Sequence, residues 1–232
     1  MPTTANPDDV GDYLLSARSF EEYRDFFALR TQDLQGSILD CPGGASEFTT
    51  RACALGAGAV AMDPIYAEPP EDVARRALAE VDRGSVHTVA GRDRYVWDRF
   101  GDPDGHRWVR AASARRFAGD LLRHPARYRA GSLPGIPFPE RTFDLVLSSH
   151  FLFTYADRLS LAFHLEALLD LHRVARHEVR VFPLLDQGGH PRPALVGDLR
   201  QALELRRIPV EIRKVSYEFQ RGGNEMLVLR VS

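Results

Sequence analysis

Apolar positions along the chain fall into short continuous runs alternating with stretches of helical period, and this alternation gives the first outline of an architecture. From Ser19 the stretch SFEEYRDFFALR sets Phe20, Tyr23, Phe27 and Arg30 on one helical stripe, with Ser19 and Glu22 at capping-box spacing, and Gln35-Gly36 breaks it. Ser37–Asp40 then reads as a short buried strand and Cys41-Pro42-Gly43-Gly44-Ala45 as a loop of small residues. Phe48, Ala52 and Leu55 mark a helix that Gly56 terminates. Ala59–Asp63 is a second strand, stopped by Pro64. Strand, tight loop, helix, strand is the opening of a parallel α/β sheet.

The rhythm breaks over 68–127. Pro69-Pro70 opens a helix expected over 71–82, RFGDPDGHRW reads as a turn-rich joint, and 111–123 reads as a second helix carrying Phe117, Leu121 and Leu122. A parallel crossover needs far fewer residues. The segment is therefore expected to be a largely helical insertion between the second and third strands, a cap or lid on a single domain spanning 1–232.

Beyond it the alternation resumes. The expected elements are a weak third strand at 126–130, a stiff loop at 133–139, an apolar fourth strand at 143–148 and a helix at 158–175. That helix has Leu161, Leu165, Leu168, Leu169 and His172 on one face. A fifth strand at 178–185, a helix at 193–206 and strands at 210–220 and 226–231 complete the chain. The last two strands meet at Gly222-Gly223-Asn224, a turn tight enough to make them antiparallel. The expected fold class is α/β: a three-layer Rossmann-like sheet, mostly parallel with an antiparallel C-terminal strand, plus the insertion. Residues 1–12, with Pro2, Pro7, Asp8 and Asp9, read as frayed.

Composition narrows the function classes. Of 232 residues, 44% are apolar and 27% charged, which excludes a disordered or collagen-like chain. Thirty basic residues against 32 acidic ones argue against a protein gripping a long nucleic-acid track, so no nucleic-acid partner is expected. Lys214 is the sole lysine, a bias expected of a GC-rich genome. Two cysteines, Cys41 and Cys53, cannot form a disulfide framework and have no metal-ligand spacing; no metal is expected. The start MPTTANPDDVGD lacks a secretory leader's basic and apolar parts, and no apolar run could span a membrane. The expectation is a soluble, cytoplasmic protein with no membrane partner.

The chemistry concentrates at the end of the first strand. A small-residue loop between strand and helix lets a ligand approach the backbone, and the helix start is expected to offer free N–H groups to a carboxylate or phosphate. Asp63, ending the second strand, is placed to accept hydrogen bonds from the hydroxyls of a ribose. Pro42-Gly43-Gly44-Ala45-Ser46 does not supply the G-x-G-x-x-G of a dinucleotide site. Cys41 reads as a small turn residue and not a nucleophile. His164, His172 and His177 read as packing residues, and the arginines of 75–129 as a solvated surface.

These residues resemble those of the class I (Rossmann-like) S-adenosylmethionine-dependent methyltransferases. In that family an acidic residue precedes three glycines at alternate positions. Here Asp40 matches the acid and Gly44 the middle glycine, while Pro42 and Ser46 replace the outer two. The segment GSLPGIPFPERTFDLVLSSHFLFTY is similar to the family's adenine loop and fourth strand, and YEFQRGGNEMLVLRV to its terminal antiparallel pair. The resemblance covers roughly 30–66 and 126–232.

It implies that Asp40 and the backbone of Cys41, Pro42, Gly43 and Gly44 hold the methionine end of S-adenosylmethionine. Asp63 would bind the ribose, Ile65 would pack on the adenine, and Ser132 and Leu133 would lie at the adenine edge. Ser149 and His150 would face the sulfonium and the acceptor, with Tyr155 lining the same pocket. His150 is the candidate catalytic base, and S-adenosylhomocysteine would be the product. The implied reaction is methyl transfer to a small-molecule acceptor. The alternatives are a nucleic-acid methyltransferase, disfavoured because Ser148-Ser149-His150-Phe151 stands where an N/D-P-P-[YFW] motif would, and a non-catalytic binder of the same cofactor. A nicotinamide oxidoreductase is more distant. Acceptor and oligomeric state stay open.

Overall fold

A computed structural model describes residues 13–231; the segment read as frayed lies outside the described residues. Seven strands form one sheet: β1 (Ser37–Asp40), β2 (Gly58–Met62), β3 (Tyr128–Arg129), β4 (Phe143–Ser149), β5 (Ala175–Phe182), β6 (Val210–Lys214) and β7 (Glu225–Arg230). Their order is β3-β2-β1-β4-β5-β7-β6. The pairs from β3 to β5 are parallel, and β7 runs antiparallel to both β5 and β6. The expected mixed sheet is present, with its switch point between β1 and β4.

Two faces of that sheet carry separate cores. Successive strand residues point to opposite sides, so Leu39 and Val146 join Leu168, Leu171 and Val179 on one face. Ile38, Leu145 and Leu147 join Phe26, Phe48 and Val228 on the other. Helices α5 (Leu161–Val174) and α6 (Pro193–Glu204) cover the first face, and α1 (Phe20–Phe26) and α2 (Phe48–Ala54) the second. On α5 the fully buried histidine is His164, whose ring nitrogens meet Ser160 O at 2.8 Å and Leu152 O at 2.9 Å; His172, expected on the apolar face, is only half-buried.

The insertion is larger in helix than its pattern predicts. Helices α3 (Pro70–Ala90) and α4 (Pro103–Arg123) each run 21 residues and pack along one another, burying Val73, Ala77, Ala114 and Phe117. The Gly-Asp-Pro-Asp-Gly turn inside the expected joint is a helix start: Asp102 caps it by accepting from Gly105 N at 2.7 Å, with Pro103 in its first turn. The insertion is tied to the C-terminal hairpin through Val96 N, which donates to Phe219 O at 2.7 Å.

Other boundaries shift for local reasons. β3 is two residues long, β5 ends at Phe182 rather than at Leu185, and β6 stops at Lys214. Past Lys214 the chain leaves the sheet so that Tyr217 and Phe219 can turn into the core against Phe26, Tyr95 and Trp97. Helix α1 stops at Phe26 because Ala28 adopts φ 47°, which leaves Arg30 exposed and outside the stripe.

Candidate functional site

A cavity of about 500 Å³ opens beyond the carboxyl ends of β1, β2 and β4, the place where open α/β sheets bind ligands at a switch point. The loop after β1 contributes Cys41, Pro42, Gly43 and Gly44, and the turn after β2 contributes Asp63 and Ile65. Ser132 and Leu133 come from the stiff loop, and Ser149 and His150 from the end of β4. With Tyr155, eleven of the twelve residues that the resemblance assigns to the site therefore meet at one cavity. The one that does not is Asp40: it is buried behind the loop, where Tyr23 Oη donates to its Oδ1 at 3.1 Å and its Oδ2 has no protein partner.

The loop differs from expectation in one respect. Its amides are not free. Cys41 N donates to Leu147 O at 2.9 Å, Gly43 N to Met62 O at 2.9 Å, Gly44 N to Asp63 Oδ2 at 3.0 Å and Ala45 N to Ser16 O at 3.3 Å. Helix α2, beginning only at Phe48, has its first amide held by Ser46 Oγ at 3.0 Å and does not serve the cavity. Backbone approach still matters, because a Cβ on Gly43 would stand 2.8 Å from both Ala61 Cβ and Tyr66 Oη, and Gly44 adopts φ 54°.

Asp63 organises this corner. Besides Gly44 N it accepts from Ile65 N at 3.1 Å, and Tyr66 Oη donates to Gly44 O at 2.6 Å. Burial raises the Asp63 carboxyl above its usual range and raises Asp40 further, with Asp63 adding to the shift at Asp40. Burial, reinforced by both aspartates, also pushes up the Cys41 thiol and the Tyr66 phenol. Arg76 on the rim is paired with Glu68 at 3.4 Å. The corner is thus short of positive charge. Among the described residues no group of three or more His, Cys, Asp or Glu side chains could hold a metal ion.

His150 stands at φ 50°, a conformation uncommon for non-glycine residues, with its amide donating to Phe182 O at 2.7 Å. Its ring packs edge-on against Phe26 and Phe182, and its buried Nδ1 has no protein partner. Burial, and then the positive charge of Arg18, hold the imidazole well below its ordinary value, so it is neutral at physiological pH.

Behind His150 lies a second cavity of about 140 Å³, walled by the segment 14–18, α3, α4 and the β6–β7 connection. Leu14, Leu15, Ser16, Arg18, His150 and Tyr155 line both cavities. Tyr155 Oη accepts from Leu14 N at 3.0 Å, which fixes the partition.

Sequence reasoning missed the charge cluster beneath it. Glu22, legible only as a capping-box partner, is fully buried. It accepts from Ser19 N at 2.9 Å, Tyr217 Oη at 2.8 Å and both terminal nitrogens of Arg110, one of them at 2.6 Å. Burial alone would raise this carboxyl, but Arg110 holds it well below the usual range. Arg110 lies in the middle of α4, within the insertion and 88 residues from Glu22, and nothing in the local pattern at either position announces the other.

No family model matches the chain. A curated relative, an uncharacterized protein of Methanocaldococcus jannaschii, is 29% identical over 223 residues, 96% of this chain and 98% of its own. Among solved structures, a SAM-dependent methyltransferase from Aquifex aeolicus is 15% identical at TM-score 0.42, over 85% of this chain and 83% of that one. The PH0226 protein from Pyrococcus horikoshii is 13% identical at TM-score 0.47, over 85% and 82%. The magnesium protoporphyrin IX methyltransferase of Synechocystis, solved with bound SAM, is 10% identical at TM-score 0.43, over 92% and 91%. At these scores the likenesses assign neither an acceptor nor a site residue.

Proposed function

We propose that the chain is a class I S-adenosylmethionine-dependent methyltransferase that acts on a small molecule, with 68–127 shaping the acceptor side. One observation carries the reading. The cavity at the β1–β4 switch point has the size of a small-molecule site, and its inner corner ends in a carboxylate on the neighbouring strand whose rim cation, Arg76, is already paired with Glu68; Arg18, the other cation on its wall, belongs to the side shared with the smaller cavity. A pyrophosphate would add negative charge beside Asp63 and Asp40, whereas a sulfonium carrying an ammonium group relieves them. The sheet agrees with the resemblance in the loop and fourth-strand residues: an antiparallel strand stands between β5 and β6, where a dinucleotide-binding sheet runs directly from the fifth to the sixth strand.

In this reading Asp63 retains lone pairs for ribose hydroxyls while bonding Gly44 and Ile65, and Ile65 and Leu133 flank the adenine. The backbone of Cys41–Gly44 lies along the amino-acid end, with the Asp40 carboxyl buried behind it as a nearby charge and not a contact. When bound, the cofactor supplies an electrophilic methyl group for in-line transfer. The protein's part is to exclude water and to set the line of approach. His150, neutral on the shared wall, stands beside the acceptor; held well below its ordinary value, the imidazole takes up a proton only weakly, so its part as a base suits an acceptor that is itself acidic. Unpaired Cys41 and Cys53 are in keeping with a reducing, cytoplasmic setting, and among the described residues no helix is long and apolar enough to cross a membrane.

Calorimetric titration with S-adenosylhomocysteine and with NAD tests the reading. Saturable binding of the first and none of the second is expected; tighter binding of NAD would discard it.

A further inference from the structure

We infer that the smaller cavity takes the methyl acceptor and that this acceptor is a single-ring molecule carrying a carboxylate, which pairs with Arg18; the acceptor role rests on the methyltransferase reading. Size comes first. A cavity of about 150 Å³ suffices for one benzene ring, and this one is about 140 Å³. Its walls include the rings of Tyr95, Phe182, Tyr217 and Phe219, which suit a flat apolar body.

Charge comes next. The cluster holds two guanidiniums, Arg18 and Arg110, against the single carboxylate of Glu22. Arg110, Tyr217 and Ser19 already occupy the Glu22 oxygens, so Arg18 approaches no closer than 3.6 Å and its buried Nε has no acceptor. The other charges at the cavity are matched at the rim, Glu80 by Arg83 at 2.5 Å and Arg107 by Asp82 at 2.6 Å. Among the described residues one positive charge is thus in excess, Arg18 having only its 3.6 Å approach to the already occupied Glu22. Burial and the neighbouring Arg110 push the Arg18 guanidinium below its ordinary value, as expected of a cation lacking its partner.

Two further orphaned polar atoms belong to residues of the same wall, Thr154 Oγ1 and His150 Nδ1. Buried polar groups are rarely left unpaired, and a carboxylate is the group a guanidinium fork matches best. A bound carboxylate would neutralise the excess charge, and the ring behind it would lie against His150, whose other side faces the larger cavity.

The test uses the full chain with benzoate and its neutral counterpart benzamide as probes, titrated by calorimetry in the presence and absence of S-adenosylhomocysteine. Benzoate is expected to bind saturably and at least about tenfold more tightly than benzamide. Arg18→Gln is expected to abolish that preference while S-adenosylhomocysteine still binds saturably, and Thr154→Val to weaken benzoate about fivefold. The comparison of the two probes on the unaltered chain needs no variant and stands even where R18Q does not fold. Equal binding of the probes, with S-adenosylhomocysteine still bound, would overturn the carboxylate site and spare the cofactor reading. So would an R18Q variant that loses S-adenosylhomocysteine and keeps benzoate, because Arg18 would then serve the cofactor's own carboxylate. Benzoate preference without any S-adenosylhomocysteine binding would remove the methyltransferase reading and with it the acceptor role, leaving a bare anion site.

Discussion

The two cavities share a wall and differ in the charges that surround them away from it. Around the Asp63 corner of the larger cavity the displaced groups are pushed up: Asp40, Asp63, the Cys41 thiol and the Tyr66 phenol. In the smaller cavity His106, and on the shared wall His150 and Arg18, are pushed down, while, against burial, Glu22 pushes Arg110 up. Burial is the largest cause on both sides, so burial alone does not distinguish them; the neighbouring charges do. Carboxylates surround the first set and guanidiniums the second. A pair of sites with opposite unmet charge, joined through one neutral imidazole, is suited to bringing a cationic ligand and an anionic one together.

The contrast can be broken most severely at Glu22. Glu22→Ala removes the only carboxylate of the cluster among the described residues and leaves Arg110 and Tyr217 without their acceptor, and removing one partner of a buried pair costs about 3–5 kcal/mol. Urea unfolding should show that loss; under about 1 kcal/mol would mean that the cluster is solvated. On the other side, Asp63→Ala should weaken S-adenosylhomocysteine by about 1.5–3 kcal/mol, the scale of charge-assisted hydrogen bonds. Unchanged affinity in calorimetry would show the ribose to lie elsewhere.

A smaller effect depends on pH. Burial, followed by repulsion from Arg110, lowers His106 to about 2, and its ring stacks on Phe219 with centroids 4.7 Å apart. Above pH of about 6.5 neither folded nor unfolded chain binds a proton there. As pH falls below that value the unfolded chain takes one up and the folded chain does not, so this histidine erodes stability down to about pH 2. His106→Phe lacks the liability. The stability difference between wild type and H106F should move against wild type by about 2 kcal/mol between pH 7 and pH 5. A constant difference would show that His106 is protonated in the folded protein. The smallest effect is at the entry to α1, where Ser19→Ala should cost about 1 kcal/mol in the same unfolding assay by removing the cap on Glu22 N at 3.2 Å.

What was legible in the sequence follows from range. Strand runs such as Phe143–Ser149 and the Ser19/Glu22 box are local, and each stands in the structure; the last two strands pair antiparallel as expected, but through the 215–224 connection and not the tight Gly222-Gly223-Asn224 hairpin. The residues of the larger cavity were also accessible, because they follow strand ends and strand ends converge at the switch point. The smaller cavity was not. Its charges come from the entry to α1, the middle of α4 and the strand that turns inward at Tyr217, and only the packed insertion brings them together. The arginines of 75–129 look alike in sequence. In the structure Arg75 and Arg107 sit at the surface while Arg110 is buried, a difference set by tertiary packing alone. The length of α3 and α4 was underestimated for a related reason, since Gly84, Gly105 and Gly119 interrupt their patterns yet are held within helices that brace one another.

The most direct measurement is a crystal structure grown with S-adenosylhomocysteine. The account predicts the nucleoside in the larger cavity, its ribose hydroxyls on Asp63 and its sulfur directed toward His150. A nucleoside bound anywhere else, or that cavity closed by the side chains of residues 14–18, would contradict it.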